Sequence, residues 1–174
     1  MKKIFATIVA LALVLSLAGS LAEQVPAINW SDVESDAADI DGSWYTFENL
    51  ALQMWVPDIF ENADITEDDD PTMIAKFLVP DGSAAIYGQY VEGYEGATME
   101  NAIASIKDNG GQEIERCTLN GLDAVSYSYS DMDAVYVTFV TQNGNFVQFI
   151  FTPVSDEGFK AVAQLVTASI MPEE

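Results

Sequence analysis

Residues 112–152 read QEIERCTLNGLDAVSYSYSDMDAVYVTFVTQNGNFVQFIFT, and this stretch decides the fold. Its first half predicts two strands, over 112–119 and 122–129, on either side of Asn120-Gly121. An Asn-Gly pair supplies the two positive-φ positions of a type I′ turn, which makes it the strongest short-range signal for a β-hairpin. We therefore expect an antiparallel pair of strands here.

The second half of the stretch predicts another hairpin. Strands over 134–142 and 145–152 flank Asn143-Gly144, the same turn signal. If both turns are two-residue loops, counting outward from each turn predicts which residues face each other. The expected cross-strand pairs are Val137 with Ile150, Val140 with Val147, and Cys117 with Ala124.

The rest of the chain supplies further elements on both sides of this stretch. Ser31 and Glu34 have the spacing of a capping box, which predicts a short helix over 31–39 that Gly42 ends. Before it, residues 23–29 have the character of a tether. The remaining elements expected are strands over 43–48, 50–56, 73–79 and 84–91, a helix over 98–108, and a last helix from 155 to 170.

The two longer helices are amphipathic. Met99, Ala102, Ile103 and Ile106 recur at three- and four-residue intervals, which predicts one stripe facing a core. The last helix has a similar face made of Phe159, Val162, Ala163, Leu165, Val166 and Ile170. Runs of strands joined by tight turns, with helices between the runs, predict an α+β fold in which helices pack on an antiparallel β-sheet.

From Leu50 onward the chain resembles the Mog1/PsbP-like superfamily, which includes the DcrB-like small envelope proteins of bacteria. The resemblance is carried by residues 50–57 (LALQMWVP), by the helix over 98–108 followed by 119–127 (LNGLDAVSY), and by a last helix ending in Ala168-Ser169-Ile170. It implies an α/β/α sandwich and an accessory or partner-binding protein. It carries over no catalytic residue.

The N-terminus has the three parts of a cleavable signal peptide. Lys2 and Lys3 precede an apolar run over 4–17, and small residues stand at 20 and 22, so cleavage is expected after Ala22. The apolar run is short for a membrane span. The expected organisation is a signal peptide over 1–22, an acidic segment with a short helix and the first strand over 23–49, and an α+β domain over 50–174. The predicted signal peptide implies secretion to the cell envelope or beyond.

The charge is strongly negative. The whole chain has 6 basic and 28 acidic residues; without Lys2 and Lys3 the net charge is −24. Such a surface repels nucleic acid and anionic lipid headgroups, and it favours cations or basic partners.

Residue types also restrict the chemistry. There is no histidine, which excludes histidine-based triads and histidine metal sites. The single cysteine, Cys117, forms no internal disulfide, and we expect it to be a small buried hydrophobe because an acidic chain offers no electropositive setting for a reactive thiol. No GxSxG elbow or phosphate-binding glycine loop is present. The protein is therefore predicted not to be an enzyme and to need no cofactor.

Two acidic stretches are candidates for calcium. The spacing of Asp39, Asp41 and Glu48 around Gly42 matches part of a calcium loop, although Ala37 stands where the first acid belongs. Asp64, Glu67, Asp68, Asp69 and Asp70 form the second group, on an exposed loop over 58–70 with one helical turn near 59–63. Carboxylate oxygens are the ligands that Ca²⁺ prefers.

Aromatic residues offer one contact surface. Tyr127 and Tyr129 share a strand face, which becomes a candidate contact patch if that face is exposed to solvent. The function predicted from the sequence is a secreted, non-enzymatic binding or accessory module, whose partner is another envelope or extracellular protein. The alternatives are an extracellular calcium-binding domain and a carboxylate-dependent hydrolase.

Overall fold

A computed structural model describes residues 25–93, 97–141 and 145–173 of the chain; the predicted signal peptide lies outside them. Eleven strands are present in this part of the chain: β1 Ala27–Ile28, β2 Gly42–Phe47, β3 Leu52–Pro57, β4 Glu61–Asn62, β5 Met73–Leu78, β6 Ala85–Val91, β7 Gln112–Leu119, β8 Leu122–Ser128, β9 Val135–Val140, β10 Phe146–Thr152 and β11 Met171–Pro172. The α-helices are α1 Glu34–Ala37, α2 Met99–Asp108 and α3 Glu157–Ser169, with short 3-10 turns at Trp30–Asp32 and Glu48–Leu50.

The strands form two sheets. Eight are ordered β1-β7-β8-β9-β10-β6-β5-β4, and three are ordered β11-β3-β2. All neighbours are antiparallel except β1, which runs parallel to β7. The predicted α+β class is confirmed, but the large sheet is mixed because residues 23–29 are not only a tether: Ala27 and Ile28 pair with Thr118 and Leu119.

The first hairpin forms as predicted. Asn120 and Gly121 have φ angles of 48° and 86°, the left-handed pair that a type I′ turn requires. Cys117 faces Ala124 across the ladder. The register of β7 and β8 is therefore confirmed.

The predicted register of the second hairpin is wrong by one residue. Val137 faces Phe149 and not Ile150, and Val147 faces Phe139 and not Val140. The backbone amide of Thr141 donates to the carbonyl of Asn145 over 2.8 Å, so three residues separate the paired ends instead of two. The predicted Asn143-Gly144 turn lies outside the described residues.

The large sheet buries both faces, because successive side chains on a strand point to opposite sides. One face belongs to the main core, under α3 and the small sheet; its largest fully buried side chains include Met54, Ile86, Leu119, Phe149 and Phe151. The other face packs against α2. That second cluster contains Met99, Ala102, Ile106, Val125, Tyr127, Ala134 and Tyr136.

The two longer helices begin close to the predicted positions, and they bury the predicted apolar faces. Thr98 caps α2 by accepting from the amide of Asn101, and Asp156 caps α3 by accepting from the amide of Phe159.

The capping box predicted at Ser31 is wrong. The turn begins after Asn29, no side chain caps it, and the helix shrinks to four residues. Gly42 does not end that helix; it opens β2 and lies so close to the Trp55 ring that a Cβ atom would be 2.4 Å away.

The helical turn predicted near 59–63 is also absent from the structure. Phe60 instead enters the main core, where its ring lies 6.1 Å from that of Phe159. Glu61 and Asn62 then pair with β5 as β4. Burial of the Phe60 ring therefore places the next two residues of the loop beside the edge of the sheet, where they pair with β5.

Cys117 lies in the main core, as predicted, beside the apolar face of the first hairpin. Burial raises the pKa of its thiol from 9.0 to about 11, and the carboxylates of Asp123 and Glu115 add to the shift. The folded protein therefore keeps a neutral thiol at a pH where the unfolded chain already ionises.

We expect the ionisation of this thiol to lower the free energy of unfolding at alkaline pH. Its contribution to stability is complete below pH 9 and is lost as the pH rises through about 11, by about 2–3 kcal/mol in all. Urea unfolding between pH 8 and 11, compared with Cys117→Ala, measures it, because the variant keeps every other ionisable group. Parallel curves for the two proteins would contradict the prediction.

Candidate functional site

A groove lies between α2 and the sheet face on which this helix packs. Its volume is about 270 Å³. It is lined by Gln89, Val91, Asn101, Ala102, Ser105, Ile106, Tyr127, Thr138, Phe146 and Gln148. Strands β6, β8, β9 and β10 supply the floor, and α2 supplies one wall.

The floor contains a network of uncharged polar side chains. The amide nitrogen of Gln148 donates to the Thr138 hydroxyl over 3.0 Å and also to the hydroxyl of Tyr127. The hydroxyl oxygens of Tyr127 and Thr138 are 3.5 Å apart. Gln89 lies beside Gln148 across the β6–β10 ladder. Buried polar groups are tolerated when they are hydrogen-bonded, and this network satisfies them.

Three tyrosines stand next to this network. Tyr127 stacks on Tyr136 with ring centroids 5.2 Å apart, and Tyr129 meets both rings edge-on. Tyr127 is only 4% exposed, so its strand face is not open to solvent. The condition for a contact patch at Tyr127 and Tyr129, a strand face open to solvent, is therefore not met: α2 covers that face, and the Tyr127 hydroxyl points to the groove floor. Burial is the main cause that raises the pKa of Tyr127.

Helix α2 is anchored at its N-terminal end by charge as well as by packing. Glu100 accepts from Arg116 over 2.8 Å, and the same guanidinium donates to both carboxylate oxygens of Asp123. Exposed ion pairs of this kind stabilise only slightly. They do fix the helix relative to β7 and β8, and so the wall of the groove relative to its floor.

The groove carries no charged residue among those that line it, although the chain outside the predicted signal peptide has a net charge of −24. Val91, on its rim, is 47% exposed, and its cross-strand partner Phe146 is half-buried. Amide and hydroxyl groups on the floor with apolar groups at the rim suit a neutral ligand that offers both hydrogen-bonding and apolar surface.

These groove residues were not predicted from the sequence. Thr138 and Gln148 are polar residues inside apolar strands, which is a weak signal by itself. The predicted register places Gln148 opposite Phe139, whereas the structure pairs it with Thr138. The one-residue error therefore hid the pairing of Gln148 with Thr138, which belongs to the polar network on the groove floor.

Two solved structures are similar to this chain at TM-score 0.51. The solution structure of cyanobacterial PsbP (CyanoP) from Synechocystis sp. PCC 6803 matches 90% of this chain and 98% of its own, at 12% identity. A crystal structure from Bacteroides thetaiotaomicron VPI-5482 matches 78% of this chain and 50% of its own, also at 12% identity. The chain has the PsbP-like fold.

The resemblance drawn from the residues is thereby confirmed at the level of the fold. The Ran-binding protein Mog1p of Saccharomyces cerevisiae is less similar, with a TM-score of 0.44 at 15% identity over 78% of this chain and 97% of its own. No protein-family model matches the sequence, and no curated protein is similar to it. At such low identities, a shared PsbP-like fold does not indicate a shared ligand or a shared activity.

The first predicted calcium loop is stretched out in this PsbP-like fold. Asp39 and Asp41 precede β2, whereas Glu48 follows its last residue. Six residues of strand separate the two ends by roughly 20 Å. The expected calcium ligands Asp39, Asp41 and Glu48 are therefore not brought together.

The second group lies on the loop before β5, and its members face different partners. Asp69 accepts from Lys76 over 2.7 Å and from Thr66, which lowers the pKa of Asp69 to about 2. Asp70 accepts from Thr72, while Asp64, Glu67 and Asp68 are exposed. Within residues 25–93, 97–141 and 145–173 no three acidic or cysteine side chains converge as metal ligands. Calcium binding stays a prediction.

No pair of carboxylates lines the groove either. Burial, helped by Glu113, raises the pKa of Glu115. That residue stands on β7 and not in the groove. The hydrolase alternative stays a prediction as well. In the part of the chain that is described, no helix is both long and apolar enough to cross a membrane.

Proposed function

We propose that this protein is a secreted, non-enzymatic binding module of the bacterial cell envelope, and that the groove beside α2 is its binding site. The observation that carries the proposal is an uncharged groove, with amide and hydroxyl groups on its floor, in a chain that is otherwise strongly acidic. An uncharged concave site on a strongly acidic protein favours the binding of a neutral group on a partner.

The cell location rests on the sequence. Lys2 and Lys3, the apolar run over 4–17 and the small residues Ser20 and Ala22 make a signal peptide. Expression in the native host, followed by N-terminal sequencing of the protein in the envelope and medium fractions, is expected to give a chain that begins at Glu23. A chain that keeps Met1 in the cytosolic fraction would contradict the location.

The binding site can be tested in cells with a photoreactive residue. We expect p-benzoylphenylalanine in place of Val91, on the rim of the groove, to form a specific adduct with an envelope partner. Ser105→Trp places a bulky ring against the groove from α2 and should reduce the adduct to about a tenth, since a loss of 1.4 kcal/mol in binding is tenfold.

Ala104→Trp is the matched control. Ala104 is exposed, one residue away on the same helix, and does not line the groove. The same ring there should leave the adduct intact. An adduct that survives Ser105→Trp, or one that never forms at Val91, would contradict the groove as the binding site.

A further inference from the structure

We propose that the outer side of β2 binds an extended, positively charged peptide, which pairs with it as an additional strand of the small sheet. This site is separate from the groove and does not depend on the function proposed for it. The proposal rests on the open edge of β2, on its lack of protection, and on the charge around it.

The edge is open in the described chain. β2 pairs with β3 along its whole length, from Gly42 with Pro57 to Phe47 with Leu52, and it is the last strand of its sheet. Alternate residues of such a strand direct their N–H and C=O groups away from the sheet. Within the part of the chain that the structure describes, residues 43–47 make no backbone hydrogen bond other than those to β3.

The edge also lacks the features that normally prevent strand addition. Its sequence, GSWYTF, has no charge and no proline, and it is six residues long. The part of β7 before Thr118, which β1 does not cover, is different: it carries Glu113, Glu115 and Arg116, and its register shifts at an irregularity near Glu113, whose φ is 49°. The other outer strands, β1, β4 and β11, are two residues each. Charges, bulges and shortness protect natural edges, and β2 has none of them.

The surroundings of β2 are acidic at both ends. Asp41 precedes the strand, and Asp58 reaches it by accepting from the Ser43 hydroxyl over 3.1 Å. Glu48 follows it at the other end. The nearest basic residue along the described chain is Lys76. A peptide that carries lysine or arginine would therefore meet carboxylates at both ends of the strand.

Trp44 adds a surface for a cationic side chain. It is 44% exposed in the middle of β2, and its ring meets that of Trp30 edge-on at 5.7 Å. A lysine or arginine side chain over an indole ring is attracted by the ring electrons. Backbone pairing with β2, a cation over Trp44, and acids at the strand ends describe one ligand: an extended basic peptide.

A second copy of the chain fits the same edge less well. Pairing β2 with β2 would bring together two chains whose net charge is −24 each, and would place Asp41 of one copy near acidic groups of the other. Like charges across an interface oppose association. We therefore assign the edge to a basic partner.

The probe is a capped eight-residue peptide of alternating lysine and valine, titrated into the protein by calorimetry and followed by NMR. We expect binding that weakens as salt rises, with the largest amide shifts in residues 42–47. A peptide N-methylated at alternate residues has the same charge but lacks the backbone donors of one side. Loss of those donors should weaken binding at least about tenfold.

Thr46→Lys tests the site from the protein side. Thr46 is exposed on β2, and a lysine there should repel the peptide and weaken binding about fivefold. Ser130→Lys, at an exposed position between β8 and β9, makes the same change in net charge and should alter binding less than about twofold. Thermal unfolding of both variants checks that they are folded.

Each of the other results would overturn the proposal. Equal affinity for the N-methylated peptide would mean that charge alone attracts it. Equal weakening by Thr46→Lys and Ser130→Lys would place the peptide elsewhere, and no binding would remove the site. A dimer in the ultracentrifuge that Thr46→Lys dissociates would assign the edge to a second copy instead.

Discussion

Phe149→Ala is expected to lower the free energy of unfolding by about 3–5 kcal/mol, whereas Ile150→Ala should lower it by only about 1–2 kcal/mol. Phe149 has no exposed surface and lies in the main core, with its ring 5.5 Å from that of Phe47 and 6.3 Å from that of Phe139. Ile150 is half-buried on the opposite face, beside the α2 cluster. Removal of a fully enclosed ring loses both its burial and the packing around it.

Urea unfolding of the two variants measures this difference and also tests the register of β9 and β10. If the hairpin had the two-residue loop predicted from Asn143-Gly144, Ile150 would face Val137 in the main core. Ile150→Ala would then be the more damaging change. That order of effects would contradict the observed pairing of Val137 with Phe149.

Asn120→Ala is the second change with a large expected effect, about 3 kcal/mol. The side-chain carbonyl of Asn120 accepts from the backbone amide of Trp30 over 2.7 Å. Its amide nitrogen donates to the carbonyls of Ala168 and Ile170, each over 2.8 Å. These bonds join the first hairpin to the N-terminal segment and to the end of α3. The three bonds together are worth about 2 kcal/mol, and the strain of alanine in the left-handed backbone adds about 1 kcal/mol.

Asn120→Gly separates the two causes. Glycine adopts the φ of 48° without strain, so this variant loses only the three hydrogen bonds and should cost about 2 kcal/mol. Gly121→Ala changes the other left-handed position of the turn and leaves the side-chain bonds of Asn120 in place. If Asn120→Gly unfolds at the same urea concentration as the unchanged protein, the side chain does not hold the three segments together.

Much of the fold could be predicted because its signals are local. The Asn120-Gly121 turn and the apolar stripes of α2 and α3 depend on residues that are only a few positions apart in the chain. Backbone φ preferences and helical periodicity act over that range. The ends of these elements fall within a few residues of the prediction for the same reason.

Short elements and the groove could not be predicted because distant residues decide them. β1 exists because Thr118 and Leu119 offer an edge about ninety positions away, and β4 exists because Phe60 is drawn into the core. The polar floor requires Gln89, Thr138 and Gln148 to lie side by side, which depends on register. A shift of one residue changes which side chains meet.

The sequence by itself determined the α+β class, the first hairpin, the two amphipathic helices, the burial of Cys117 and the acidic charge. Each follows from composition or from contacts between residues close together in the chain. The tertiary structure alone decided the parallel β1, the register of β9 and β10, the uncharged groove beside α2 and the open edge of β2. These arise where strands far apart in sequence pack together, and the free energy of that packing depends on the whole core and not on local preference.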